Sequence, residues 1–199
     1  MSTTIDPALH RRNFRTVFAL GGLFLLPLLL SFWLYYGLHW SPQGTTNHGE
    51  LIAPARPLPD VTLPDADAVA RSHVFHGKWT LVYVGRGACD ADCRSALVFM
   101  RQTRLSLNNE MTRVQRVLLA TADCCNRAYL KGEHPGLLVL DASQALAQPL
   151  LAQFPGDGRA EALYVVDPLG NLMMRYDARL PPKGLLEDLK RLLQLSHIG

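Results

Sequence analysis

Between Thr16 and Leu38 the sequence holds no lysine, arginine, aspartate or glutamate. A run of about 23 uncharged, mostly apolar residues is long enough to cross a hydrocarbon core of roughly 30 Å at 1.5 Å per residue. No lysine or arginine follows it before Arg56. A small-residue site of the A-x-A type is also missing from its far end, where Trp33, Tyr35 and Tyr36 stand. That lack disfavours a cleaved signal peptide, whose apolar run spans about 7–15 residues and closes on a small-residue site. Cysteine is scarce, with four residues in all and none before Cys89. The net charge of +3 is spread thinly and forms no basic stripe, which speaks against nucleic acid as a partner. No Ser/His/Asp set, paired carboxylates, phosphate loop, internal repeat or low-complexity tract occurs.

What the chain does have is order. Arg11, Arg12 and Arg15 precede the apolar run, so the positive-inside rule predicts residues 1–15 as a cytoplasmic tail and 16–38 as a single transmembrane helix. Trp33, Tyr35, Tyr36 and Trp40 are predicted at the far interface, where amphipathic rings are favoured. Pro27 is tolerated in such a helix, and Gly21–Gly22 is at most a packing feature. The rest of the protein then faces the periplasm from the inner (plasma) membrane. All four cysteines fall on that side, where disulfides persist. Residues 39–70 read as a Pro-rich linker: five prolines lie between Ser41 and Ala70, and such a segment is extended and stiff. His48 is predicted to be solvated there, although "GELIAPARPLPD" is apolar enough to lie against a domain surface.

From residue 71 the pattern is α/β. "WTLVYVG" (Trp79–Gly85) is a continuous apolar run and reads as a buried strand. A helix is predicted from Asp92 to about Asn109, and a second strand over Val114–Thr121. "GLLVLD" (Gly136–Asp141) is ambiguous in type. "ASQALAQPLLAQF" is helical in composition with a break at Pro149. "ALYVVDPLGNLMMRYD" carries a Pro/Gly turn between two apolar runs and reads as a hairpin. "KGLLEDLKRLLQL" (Lys183–Leu195) reads as an amphipathic helix. This order is that of a thioredoxin-like domain over residues 71–199.

Cys89 is predicted in the turn between strand and helix, and Cys93 in the first turn of that helix. A helix N-terminus carries about half a positive charge, which favours thiolate. Thiolate is both the attacking group in disulfide exchange and a soft ligand for Cu(I). Redox pair, metal site and structural staple all remain open on these residues. Asp90 and Asp92 are candidates to cap the helix.

"HGKWTLVYVGRGACDADC", together with "YVVDPLGNLMMRYD", resembles the Sco family: membrane-anchored, thioredoxin-fold proteins that assist copper delivery to cytochrome c oxidase. The resemblance implies that Cys89 and Cys93 are paired redox thiols and copper ligands. It implies copper as cargo and an oxidase subunit or another assembly factor as partner. Asp90 and Arg94 stand where the family carries proline. Counting back eight residues from Asp167, where the family places its third copper ligand, a histidine, lands on Arg159. The resemblance is therefore to a divergent member. Two further functions stay in view, a membrane-tethered thiol–disulfide oxidoreductase and a non-catalytic binding scaffold.

Cys124 and Cys125 follow the second strand and are read as structural or incidental, with a second thiol site as the sharper alternative. Loops after parallel strands sit at one sheet edge, which allows a link to Cys89 and Cys93. His134, in "EHPG", marks a turn and is the first substitute ligand to consider. His73 and His76 precede the first strand without an assigned place. Arg101, Arg104, Arg113 and Arg116 are predicted to form a solvated basic face.

Overall fold

A computed structural model describes residues 7–38, 46–157, 159–180, 183–196 and 198. The chain divides into two compact units, Met1–Thr46 and Asn47–Gly199. In the first, helix α1 runs Pro7–Phe32 and continues through a π-helical turn at Trp33–Gly37. The stretch Phe14–Gly37 is long and apolar enough to cross a membrane, and its side chains are exposed. Pro27 lies inside the helix, and the Ser31 hydroxyl donates to the Pro27 carbonyl at 2.8 Å. Residues 1–6 of the predicted tail, Trp40 and linker residues 39–45 lie outside the described residues.

The second unit is built on a six-stranded sheet. Its strands are β1 (Glu50–Pro57), β4 (Trp79–Gly85), β5 (Val114–Ala120), β6 (Leu137–Asp141), β7 (Ala162–Val166) and β8 (Asn171–Asp177), in the order β1-β8-β7-β4-β5-β6. A small separate pair, β2 (Leu63–Pro64) and β3 (Ala70–Arg71), lies beside it in sequence. Strands β4, β5 and β6 run parallel, while β7, β8 and β1 join antiparallel. The helices are α2 (Ala91–Leu105), α3 (Arg127–Glu133), α4 (Gln148–Leu151) and α5 (Lys183–Leu195).

The apolar runs of β4 and β7, and of Val117–Ala120 in β5, follow from burial on both faces of the sheet. Trp79, Leu81, Tyr83, Leu118, Leu163 and Val165 point to one face. There they meet Ala96, Leu97 and Met100 of α2 and Leu185, Leu189 and Leu193 of α5. Val82, Val84, Val117, Leu119, Tyr164 and Val166 point to the other, against Phe75, Leu150 and Phe154. The period of two along each strand thus fills two cores.

Three expectations need correction. The predicted linker is, from Asn47 onward, part of the domain: β1 pairs with β8 from Glu50↔Arg175 to Pro57↔Asn171. Its prolines are tolerated because β1 is an edge strand. His48 is exposed, as expected, yet belongs to the domain: its backbone N–H and Nδ1 lie 2.7 and 3.2 Å from the Asp188 carboxylate on α5. Pro149 does not break a long helix but sits in the first turn of the four-residue α4, where a missing N–H costs nothing. Nor do the four arginines form a solvated face. Arg116 is buried, and Arg101, Arg104, Arg113 and Arg116 donate to the carbonyls of Glu133, Val114, Leu193 and Pro135. Helix α3, between the adjacent cysteines and β6, carries no periodic signal long enough to predict it.

Candidate functional site

At the C-terminal end of β4 the chain leaves the sheet at Gly85, turns through residues 86–90 and starts α2 at Ala91. Asp90 is the N-cap. Its backbone is extended, and its carboxylate accepts from the Cys93 N–H at 3.0 Å. This satisfies one of the amides that a helix start leaves without an internal partner. Asp92 sits in the first turn, with favourable charge for the helix dipole. Cys89 takes a left-handed backbone, φ +55°, uncommon for a residue with a side chain. That turn brings Cys89 back over the helix start, with its Cα 5.1 Å from that of Cys93, and the two are joined as a disulfide. The sequence placed both residues on the right elements.

Both cysteines are closed off from solvent. Cys89 and Cys93 are each only 1% exposed and belong to the core cluster of Tyr83, Leu97 and Leu130. Neighbouring segments roof the pair.

One of these is the loop after β5. Thr121 N–H donates to Gly85 O at 2.9 Å, Gly87 N–H to Ala122 O at 2.7 Å, and Asn126 N–H to Gly87 O at 2.9 Å. Arg86 closes an ion pair with Asp123. A Cβ at position 87 would stand 2.8 Å from both Asp123 O and Cys124 Cα, so only glycine allows this approach. The loop carries the other two cysteines, Cys124 and Cys125, which are bonded to each other. Cys124 is exposed, whereas Cys125 is half-buried and packs against the cluster that holds Cys89 and Cys93. A second contact comes from α3: the Arg94 guanidinium lies 5.0 Å from the centre of the Tyr129 ring and donates to Cys89 O at 3.2 Å.

The 3-10 turn Arg159–Glu161 packs against α2 and β4. The Tyr83 hydroxyl donates to Ala160 O at 2.6 Å and fixes that turn beside the helix start. Burial, then the charges of Asp90, Asp92 and Glu161, push the Tyr83 hydroxyl up to about 12. Arg159 donates to Phe154 O at 2.9 Å, while its Nε is buried without a protein partner. Together Tyr83, Arg86, Asp90, Thr121, Gln148 and Arg159 line a cleft of about 370 Å³.

The donor set beside the cysteines can now be weighed for copper. Cu(I) is held by soft thiolate and thioether ligands or by imidazole. Reduction of the pair would supply two sulfurs. Among the described residues that line the cleft there is no histidine, methionine or cysteine, and Arg159 brings a cation to it. That cleft supplies no further soft ligand for Cu(I).

His134 is buried at the end of α3, with its Nε2 3.2 Å from the Tyr129 hydroxyl. Burial, then the charges of Arg116 and Arg101, hold its imidazole below the ordinary range. It closes a helix rather than lining the cleft beside the cysteines. His73 and His76 gather around Asp60, at 2.8 and 3.4 Å, before β4 begins.

The architecture defines a thioredoxin-like protein with one apolar N-terminal helix. Residues 79–196, more than half of the chain, match the family model described as "Transmembrane-like, thioredoxin-like, C-terminal domain", and the chain belongs to that family. No curated protein matches it in sequence. Solved structures of similar fold include yeast Sco1 with copper bound, which is 16% identical. That match covers 73% of this chain and 96% of the yeast one, with a TM-score of 0.62. ScoI of Bradyrhizobium japonicum with copper bound is 18% identical, with 68% and 98% covered and a TM-score of 0.56. A thiol:disulfide interchange protein from Bacteroides sp. is 17% identical, with 72% and 91% covered and a TM-score of 0.53. At these identities the matches establish a shared fold.

A link from the loop at 121–126 to the pair was left open by the sequence, whereas the Arg94–Tyr129 contact was not read as part of the site. The signal available for the loop was topological: β4 and β5 are parallel neighbours, so the segments leaving their C-terminal ends meet.

Proposed function

We propose that this chain is a divergent Sco-like protein anchored in the inner membrane, with its domain in the periplasm. In this reading it serves cytochrome c oxidase assembly through dithiol–disulfide exchange at Cys89 and Cys93. One observation carries the proposal: two sulfurs joined across the turn that starts a helix, in the fold shared with Sco proteins. In the reduced protein, a thiolate of the pair attacks a disulfide of a client, an oxidase subunit or another assembly factor, and forms a mixed disulfide. The second sulfur then attacks its partner and releases the client as a dithiol. Two electrons pass to the client, and the Cys89–Cys93 bond is restored.

The helix start supports thiolate there by its dipole. The Arg94 guanidinium, bonded to Cys89 O, adds a fixed positive charge beside the pair. The test is the thiol–disulfide equilibrium of the full chain in detergent, followed by trapping of free thiols. A measurable potential, abolished in Cys89→Ser/Cys93→Ser together with oxidase activity of the host membranes, is the expected result. Full oxidase activity in that double variant would leave only the scaffold reading.

Copper-bound neighbours of the same fold favour a second reading, in which the reduced pair carries Cu(I) as cargo. Anaerobic Cu(I) titration of the reduced full chain separates the two. Stoichiometric binding lost in Cys89→Ser supports cargo. Weak binding that Arg159→His strengthens at least tenfold supports thiol exchange in a site that lacks its third ligand.

A further inference from the structure

The working pair of the proposed function is roofed, which hinders direct exchange with a client sulfur. We propose that Cys124–Cys125 is its surface port, a second dithiol–disulfide that passes electrons between clients and Cys89–Cys93; this rests on the thiol-exchange reading above. Three observations place it there. Cys89 and Cys93 are each 1% exposed, whereas Cys124 is exposed and Cys125 lies between these extremes. Cys125 packs against the buried cluster that contains both members of the inner pair. The loop is also fixed to the inner pair's turn by backbone: Gly87 both donates to Ala122 O and accepts from Asn126 N–H. Glycine at 87 lets Cys124 approach that turn, as its Cα would lie 2.8 Å from a Cβ there. The Arg86–Asp123 ion pair spans the same two segments, from the residues just before Gly87 and Cys124.

The exposure gradient assigns roles. Cys124 meets the client, and Cys125, facing inward, hands over to the inner pair. When a client dithiol is oxidised, its thiolate attacks Sγ of Cys124 and displaces Cys125 as thiolate, forming a mixed disulfide. The client's second thiolate attacks its own sulfur in that bond, so the client leaves as a disulfide and Cys124 as a thiolate. The loop pair now holds two more electrons. Cys125 thiolate then attacks the Cys89–Cys93 bond, and Cys124 resolves the new mixed disulfide. The loop pair returns to the disulfide, and the inner pair becomes the dithiol. The protons left by the client's two thiols end on Cys89 and Cys93 or in solvent. Client reduction runs the same steps backwards.

The test follows the order of reduction in the oxidised full chain, held in detergent and treated with limiting dithiothreitol. Free thiols are trapped by alkylation at intervals and located by mass spectrometry. In the wild type, label is expected on Cys124 and Cys125 first, and on Cys89 and Cys93 later. In Cys124→Ser/Cys125→Ser, reduction of the inner pair is expected to slow at least tenfold. The wild-type order needs no variant, so a folding defect in the double variant cannot hide the answer. Labelling of Cys89 and Cys93 first, or an unchanged rate in the double variant, overturns the port and leaves the exchange reading standing. An inner pair that excess dithiothreitol never reduces, while the loop pair opens, overturns the exchange reading itself and the port with it.

Discussion

Two junctions of this domain bring distant segments together, and they do so by opposite means. At the sheet's β1–β8 edge a single buried carboxylate does the joining. Asp188 of α5 accepts from His48 N–H, Gly49 N–H and the Tyr176 hydroxyl at 2.7, 3.0 and 2.9 Å. At the cysteine end, the turn 85–89 and the loop 121–126 are held chiefly by main-chain bonds, with one exposed ion pair above them. A side-chain node concentrates stability in one residue, because each donor it serves would otherwise be buried without a partner. A backbone junction fixes position while leaving side chains free for chemistry. That arrangement suits a site whose sulfurs must change partners.

The sharpest way to test this contrast is to remove the node. Asp188→Ala leaves two N–H groups and a hydroxyl without their acceptor and is expected to cost about 3 kcal/mol in denaturant unfolding. Burial alone would raise this carboxyl, but bonds from Gly49, Tyr176 and His48 outweigh it and hold it below its ordinary value. A carboxyl lowered in the folded state contributes stability above its unfolded value, about 3.9, and loses it as pH falls through the folded one. The wild type should therefore weaken as pH drops below about 4. Asp188→Asn should flatten that part of the profile in pH-dependent unfolding.

Smaller effects are expected at the other junction. Cys89→Ser/Cys93→Ser opens a five-residue loop and should cost about 2 kcal/mol by the loop-entropy relation, read from the same unfolding curves. Gly87→Ala pushes a Cβ against Asp123 O and Cys124 Cα and should cost about 1–2 kcal/mol. A cost equal to that of Asp188→Ala would erase the distinction between the two junctions. Arg86→Ala is expected to leave the unfolding midpoint unchanged, since the pair it forms with Asp123 is solvent-exposed. Because the backbone bonds remain, Cys124 should also keep its rate of alkylation in that variant after reduction.

Legibility in the sequence followed the range of the interaction. Strand β4 and helix α5 could be read because continuous burial and a periodic apolar face are local properties. The cap at Asp90 and the placing of Cys89 and Cys93 came from the same local rules. Strand β1 was missed because its prolines and exposed side chains imitate a linker; only the partner strand β8 makes it a strand. The arginines of α2 and β5 were misread because their carbonyl partners, such as Glu133 and Pro135, lie in other segments.

By itself, then, the sequence determined an apolar helix long enough for a bilayer, an α/β core, and a cysteine pair at a helix start. These rest on spacing, composition and charge within a few turns of chain. Only the tertiary structure decided that the pair is roofed, that the loop of Cys124 and Cys125 lies beside its turn, and that Arg159 shares a cleft with the N-cap Asp90. Each of those depends on which strands are neighbours, and strand order arises from packing between segments far apart in the chain.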